Sequence, residues 1–247
     1  MSAERGLRGR LYGVGLGPGD PELVTIKAAN TLKSAPVVAY FAKQGACGRA
    51  RGVINRWLTP ASIQLPLLYP LTTEIHFCDP AYIEALRGFY ANAENVIAGH
   101  LLAGRDVVLA CEGDPLFYGS FMHIYVRLKD RFDIEIIPGV TGVSGCWSAA
   151  KAPIAWGDDV LAVLPGTLPR AALARQLAAT DAAVIIKIGV NLGKVREVIA
   201  ECGRLSEAIY VEHGTSKTEK IIPLTAMASG HAPYFSSILI PGKGRRP

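Results

Sequence analysis

The chain has 247 residues, 50% of them hydrophobic and 19% charged, with a formal net charge of +5. That length supplies two compact α/β domains of ordinary size. It excludes a membrane-crossing helix, because no apolar run reaches the ~18 residues that span a bilayer. The positive surplus does not speak for nucleic acid. It sits at the ends, in Arg5, Arg8 and Arg10 against Glu4, and in Lys243, Arg245 and Arg246; residues 11–242 hold equal numbers of basic and acidic side chains. A groove for a phosphate backbone carries its excess in the folded body. The basic N-terminus lacks the hydrophobic segment of a secretory signal. Five scattered cysteines, odd in number and without a Cys-x-x-Cys pair, read as reduced thiols, so a cytoplasmic location is expected and a structural zinc site is not.

Strand and helix alternate along nearly the whole chain, the pattern of parallel or mixed sheets flanked by helices. A strand over 10–14 leads into the turn Gly13-Val14-Gly15-Leu16-Gly17-Pro18-Gly19-Asp20-Pro21, and a helix is predicted over 21–34. A strand over 36–41, a helix over 48–58 and a strand over 62–66 follow. Between Glu22 and Glu74 there is no acid, yet Lys27, Lys33, Lys43, Arg49, Arg51 and Arg56 are present. These read either as solvated charges or as a set facing a small polyanion. Asp79-Pro80, a cap followed by a first-turn proline, opens a long helix that stops at Gly104.

The apolar strand over 106–111 ends abruptly in Glu112-Gly113-Asp114-Pro115, with a helix predicted over 117–129. Glycine there lets backbone approach a ligand, and the carboxyl end of a strand is where open α/β sheets keep their crevice. The same residues also read as a tight turn with Asp114 as a helix cap. After a strand over 133–137, Pro138-Gly139 breaks the chain, which places the domain boundary there: 1–139 and 140–247. The second domain opens with a helix over 140–150. Strands then fall over 159–165, 182–188, 208–212 and 235–240, with helices over 169–178 and 192–202. The segment 217–223 reads as a further, antiparallel strand.

Several chemistries fail on spacing. In the first glycine turn the third glycine of Gly-x-Gly-x-x-Gly falls on Pro18 or Asp20, and Asp20 puts a negative charge where a pyrophosphate needs amides. No Gly-Lys-Ser/Thr follows, so a Walker loop is excluded. His76, His100, His123, His213 and His231 form no metal-ligand trio; His76 and Cys78 beside Asp79 are weak evidence for a metal. Neither Ser120 nor Ser144 lies in a Gly-x-Ser-x-Gly elbow.

Taken together, the glycine turns resemble the tetrapyrrole methylases of corrin and sirohaem synthesis. The pieces are Val14-Gly15-Leu16-Gly17-Pro18-Gly19-Asp20-Pro21, Glu112-Gly113-Asp114-Pro115, Pro138-Gly139-Val140-Thr141, Lys187-Ile188-Gly189 and Glu212-His213-Gly214-Thr215. Five in order, over nearly the whole chain, are highly specific. The run Glu112 to His123 and the inserted Tyr69-Pro70-Leu71-Thr72 look like the branch that methylates precorrin-2 at C20 to give precorrin-3A in cobalamin synthesis. The uroporphyrinogen methylases tend to carry an acidic residue after the second strand. Here that stretch reads Val38-Ala39-Tyr40-Phe41-Ala42-Lys43.

The resemblance implies two α/β domains with the active site in the cleft between them, S-adenosyl-L-methionine as methyl donor, no metal, and a homodimer. It implies cofactor contacts from Pro18, Gly113, Asp114, Phe117, Thr141, Gly142, Ile188 and Gly214, with Asp114 accepting hydrogen bonds from polar cofactor groups. Gly15, Gly17 and Asp20 would lie under the tetrapyrrole, and Lys43, Arg49 and Arg51 would pair with its carboxylates. Methylating C20 also releases a proton, for which Tyr40, Glu112 and His123 are the candidate bases. Alternatives are a cobalt-containing precorrin-2 or another ring position, an NAD(P)-dependent precorrin oxidoreductase, and a non-catalytic module that holds an acidic pigment.

Overall fold

A computed structural model describes residues 8–45, 48–71, 78–227 and 230–244. Arg5, Cys47, Thr72, His76, Arg245 and Arg246 lie outside the described residues. The chain divides into two compact units at the Thr141–Gly142 step. The boundary falls beyond Pro138-Gly139 because the Gly139 N–H is bonded to Asp114, which holds that turn in the first unit.

The first unit is a five-stranded sheet of β1 (Leu11–Gly15), β2 (Val37–Lys43), β3 (Ile63–Tyr69), β4 (Val107–Cys111) and β5 (Ile134–Ile137). The strands run in the order β3-β2-β4-β1-β5, and every pairing is parallel. β4 is central and all five of its residues are buried, as a continuous apolar run in a parallel sheet requires. Alternation along β4 sends Val107, Leu109 and Cys111 to one face and Val108 and Ala110 to the other. The first face is covered by α3 (Pro80–Leu102) and α4 (Phe121–Leu128), the second by α1 (Ile26–Ser34) and α2 (Arg49–Ile54).

Helix α3 begins where Asp79 accepts the Ala81 N–H at 2.8 Å and Pro80 supplies a preset φ. Its buried residues, Phe89, Tyr90, Ala93, Ile97, Ala98 and Leu101, recur at helical spacing and form its core stripe. Two helices start later than the sequence predicts. Pro21–Leu23 forms only a short 3₁₀ turn, Val24 and Thr25 are extended, and α1 starts afresh with Thr25 capping the Ala28 N–H at 3.2 Å. Helix α4 starts at Phe121, not Phe117, because Tyr118 sits at φ 54°, outside the right-handed helical region.

The second unit is a mixed sheet of β6 (Leu161–Pro165), β7 (Ala182–Ile186), β8 (Ile209–Glu212), β9 (Lys220–Pro223) and β10 (Ser236–Ile240), in the order β6-β7-β10-β8-β9. Among its described residues only β6 and β7 pair in parallel; the 217–223 segment contributes antiparallel β9. The helices are α5 (Gly142–Ala149), α6 (Arg170–Ala178) and α7 (Leu192–Glu201). Leu173 and Leu177 of α6 and Val195 and Ile199 of α7 pack with Ile185, Tyr210 and Ile238 in a core of their own.

Candidate active site

In the first unit the chain leaves β1 toward β2 on one side and leaves β4 toward β5 on the other. β1 and β4 are neighbours, so the point between their carboxyl ends is a topological switch point. The glycine turns meet there. Gly17 and Gly113 exchange backbone hydrogen bonds at 2.8 and 3.3 Å, and the Leu16 N–H donates to the Cys111 carbonyl at 2.8 Å. A Cβ on Gly15 would lie 2.5 Å from the Gly139 nitrogen and 2.7 Å from the Gly113 oxygen; one on Gly139 would lie 2.2 Å from that same oxygen. Three backbones in contact leave no room for side chains, so the first three motifs form one surface made largely of main chain.

Asp114 holds that surface together. Its Oδ1 accepts the Leu116 N–H at 2.9 Å and its Oδ2 accepts the Gly139 N–H at 3.1 Å. The carboxylate's first task is thus to tie the Glu-Gly-Asp-Pro turn to the Pro-Gly turn. It caps a local turn, not α4. Asp20 does similar local work, accepting the Glu22 N–H at 2.9 Å, and Pro18 lies half-buried between Gly17 at φ 76° and Gly19 at φ 146°. Phe117 packs edge-on against Tyr118 with ring centres 5.0 Å apart, and Thr141 is half-buried at the end of the unit.

The carboxyl edge also gathers charge. Lys43 ends β2, Arg49 opens α2, and Glu112 follows β4. Glu112 accepts the Ala50 N–H at 3.2 Å. Its side chain is reachable by water, yet protein crowds the carboxyl and pushes it above the ordinary carboxylate range. The Arg49 charge and the Ala50 N–H pull the other way. Arg51 is committed elsewhere: it donates to Gln64 and to Asn55, each at 2.8 Å, fastening α2 to β3. Of the other two base candidates, Tyr40 is packed in the core beneath α1 and α2 with 8% exposure. His123 lies on α4, across the sheet from Arg49, stacked on Tyr90 at 4.3 Å. Burial and the Arg127 charge lower its ionisation. Burial pushes the Cys111 thiol upward, which leaves it inert at neutral pH.

The second unit supplies its own turns. Ile188 is fully buried in that unit's core, and its carbonyl accepts the Asn191 N–H at 2.6 Å. Gly214 is buried because a Cβ would lie 3.2 Å from the Cys146 backbone. Four of the five described non-glycine residues at positive φ lie in or beside the motif turns: Tyr118, Lys187, His213 and Thr215. Strain of this kind persists where the surrounding structure fixes a functional turn. Thr215, which sequence reasoning did not single out, has a buried Oγ1 without a hydrogen-bond partner. Its signal was its place in the motif after Gly214; its backbone conformation has no mark in the sequence. The turn is anchored by Tyr210, whose hydroxyl donates to Glu212 at 2.7 Å and whose ionisation burial pushes up to about 12.

The tetrapyrrole (corrin/porphyrin) methylase family profile matches residues 10–228. The chain belongs to this family. It is 54% identical over 239 residues to a Sinorhizobium precorrin-2 C(20)-methyltransferase, covering 97% of this chain and 98% of that one. It is 47% identical to the Mycobacterium bovis cobalamin biosynthesis protein CobIJ, where the same 97% of this chain spans 47% of the longer relative. In fold it is similar to the X-ray structure of a cobalt precorrin-4 methyltransferase, with a TM-score of 0.70 at 24% identity and 97% of each chain covered. For a methylase of this family the methyl donor is S-adenosylmethionine, and each unit has features of its own that fit such a ligand. In the first unit Gly15, Gly113 and Gly139 bring main chain without side chains to the carboxyl edge of the sheet, where the Gly113 and Gly139 N–H groups are taken by Gly17 and Asp114. Gly142 has open space where a Cβ would stand, and the Thr215 hydroxyl lacks a partner. Among the described residues no three His, Cys, Asp or Glu side chains are placed to hold a metal, and no helix is long and apolar enough to cross a membrane.

Proposed function

We propose that this methylase transfers a methyl group to C20 of precorrin-2, giving precorrin-3A on the route to cobalamin. The observation that carries the reading is the 54% identity, over nearly the full length of both chains, to a relative of that name. S-adenosyl-L-methionine supplies an activated methyl on a sulfonium. The protein's part is to align that methyl with a nucleophilic carbon and to keep water out.

Gly113, Asp114, Phe117, Thr141 and Gly142, with Pro18 nearby, are assigned to the cofactor, together with Ile188 and Gly214. Gly15, Gly17 and Asp20 are assigned to the macrocycle. Lys43 and Arg49 are assigned to its carboxylates, since both stand at the carboxyl edge of the sheet. Arg51 supports them by fixing α2. The proposed compartment is the cytoplasm and the proposed assembly a homodimer, which sedimentation velocity checks.

The deciding experiment incubates the protein with methyl-¹³C S-adenosylmethionine and precorrin-2 and locates the new methyl by NMR. A single new methyl at C20 is expected; a methyl at another carbon, or none, overturns the reading. Cobalt-precorrin-2 run in parallel measures the preference for the metal-free ring.

A further inference from the structure

We propose that Glu112 is the catalytic residue that takes the proton lost from C20, with Arg49 as its electrostatic partner; this rests on the C20 reading above. Replacing hydrogen by methyl at a ring-bridging carbon leaves a proton to remove, and the base must stand where the macrocycle lies. The described structure puts one of the three candidates there. Tyr40 is sealed into the core, and His123, chemically suited as a neutral imidazole, is stacked on Tyr90 across the sheet.

Glu112 stands at the end of the central strand, beside the switch point between β1 and β4. Its backbone is fixed on both sides, by buried Cys111 before it and by Gly113 in the ladder with Gly17 after it. Its side chain reaches the start of α2, where the Ala50 N–H orients one carboxylate oxygen. The other oxygen takes no part in that bond.

The charged group that acts on it is Arg49 on α2; the neutral Cys111 thiol precedes it, and that thiol feels both Glu112 and Asp114. Desolvation raises the carboxyl while Arg49 restrains the rise. A carboxyl raised in this way is a stronger base than a free carboxylate, the direction general-base help requires. A substrate carboxylate that draws on Arg49 weakens the restraint and makes Glu112 a stronger proton acceptor once the ring is bound.

The step balances as follows. The methyl leaves the sulfonium, whose bonding electron pair stays on sulfur as S-adenosylhomocysteine, and a C20–methyl bond forms from the ring's π electrons. The C20–H bond then breaks, its electron pair restores the conjugation, and the proton passes to Glu112.

The test compares wild type, Glu112→Gln and Arg49→Gln. In Glu112→Gln, kcat is expected to fall by ~10²-fold or more. The acid limb of its pH profile should vanish, and C20-deuterated precorrin-2 should show a larger isotope effect than in wild type. Calorimetric affinity for S-adenosylhomocysteine should stay unchanged. Independently of turnover, the ¹³C carboxyl resonance of Glu112 should titrate at higher pH in Arg49→Gln, and that variant's acid limb should move the same way. Should Glu112→Gln fail to fold, the Arg49→Gln titration and limb carry the test alone. A Glu112→Gln enzyme that keeps wild-type turnover and acid limb overturns the assignment, and an unmoved Glu112 titration in Arg49→Gln overturns the partnership. If wild type methylates another carbon, the C20 reading itself fails; if it methylates C20 and Glu112→Gln does so equally well, only Glu112 is lost.

Discussion

At the scale of single residues, neighbouring glycines are present for different reasons. A Cβ on Gly139 would stand 2.2 Å from the Gly113 oxygen, and backbone has nowhere to retreat. A Cβ on Gly142, the first residue of α5, meets nothing within 4 Å. Gly139→Ala is therefore expected to destabilise by several kcal/mol, as overpacking at a fixed contact does (about 1–3 kcal/mol, occasionally more). Gly142→Ala should leave the melting temperature equal or slightly raised, since alanine costs less in a helix than glycine by about 1 kcal/mol. It should also raise the KM for S-adenosylmethionine, by occupying space assigned to the cofactor. Thermal melts and cofactor KM values for the pair separate a glycine kept for folding from one kept for a ligand.

Glu112 makes a second residue-scale prediction, for stability. Its carboxyl titrates above the ordinary value in the folded chain, and that net direction already contains the opposing pull of Arg49. The folded state then holds the proton more tightly than the unfolded one. The associated stability is present below the ordinary carboxylate range, near ~4.3, and is lost as pH rises through the raised value. Glutamine carries no ionisation cost and keeps an oxygen for the Ala50 N–H. Glu112→Gln should thus melt higher than wild type at neutral pH, with the gain closing as pH falls toward ~4. A lower melting temperature at neutral pH would mean that the pair with Arg49 outweighs the desolvation. Poor fit between a charge and its site is a familiar cost of function.

At the scale of elements, the strands were the most legible part, because apolar runs bounded by Gly, Pro and Asp mark both ends. β4 runs from Val107 to Cys111 where the sequence predicts 106–111. Helix starts were read less well, for a local reason. Asp20-Pro21 carries a genuine start signal, and the chain uses it for a single 3₁₀ turn; the decisive cap is Thr25, five residues after Asp20. Two competing caps five residues apart look alike in sequence, and the fold selects the one whose helix buries Ala28 and Leu32. Thr25→Ala should cost about 1 kcal/mol in chemical denaturation, with Thr25→Ser close to wild type. Pro21 variants should cost less than Thr25→Ala, since α1 does not begin there. The site divides in the same way. Glycine spacing announced the main-chain cradle, whereas the burial of Ile188, the commitment of Arg51 to Gln64 and Asn55, and the partnerless Thr215 hydroxyl depend on tertiary neighbours.

At the scale of the whole molecule, the two units keep separate sheets and separate cores: no strand of one pairs with a strand of the other among the described residues. A lesion confined to one core should then be felt first within its own sheet. Arg204 is the place to make it. Its half-shielded guanidinium donates to Glu207 at 2.6 Å, to the Thr180 carbonyl at 3.0 Å and to the Asp181 carbonyl. One side chain thereby joins the turn after α7 to the turn before β7. Arg204→Met keeps the apolar stem and removes these charge-assisted bonds, at a cost of about 2–3 kcal/mol. Hydrogen exchange on this variant should show faster exchange for amides in β7 and β10, while amides in β1 and β4 keep wild-type protection. Equal loss in both sheets would show instead that the units open as one cooperative body. In that case damage remote from the glycine cradle would reach Gly15, Gly113 and Gly139 through global unfolding, and changes in activity in second-unit variants would need to be corrected for the folded fraction before any residue there is credited with binding.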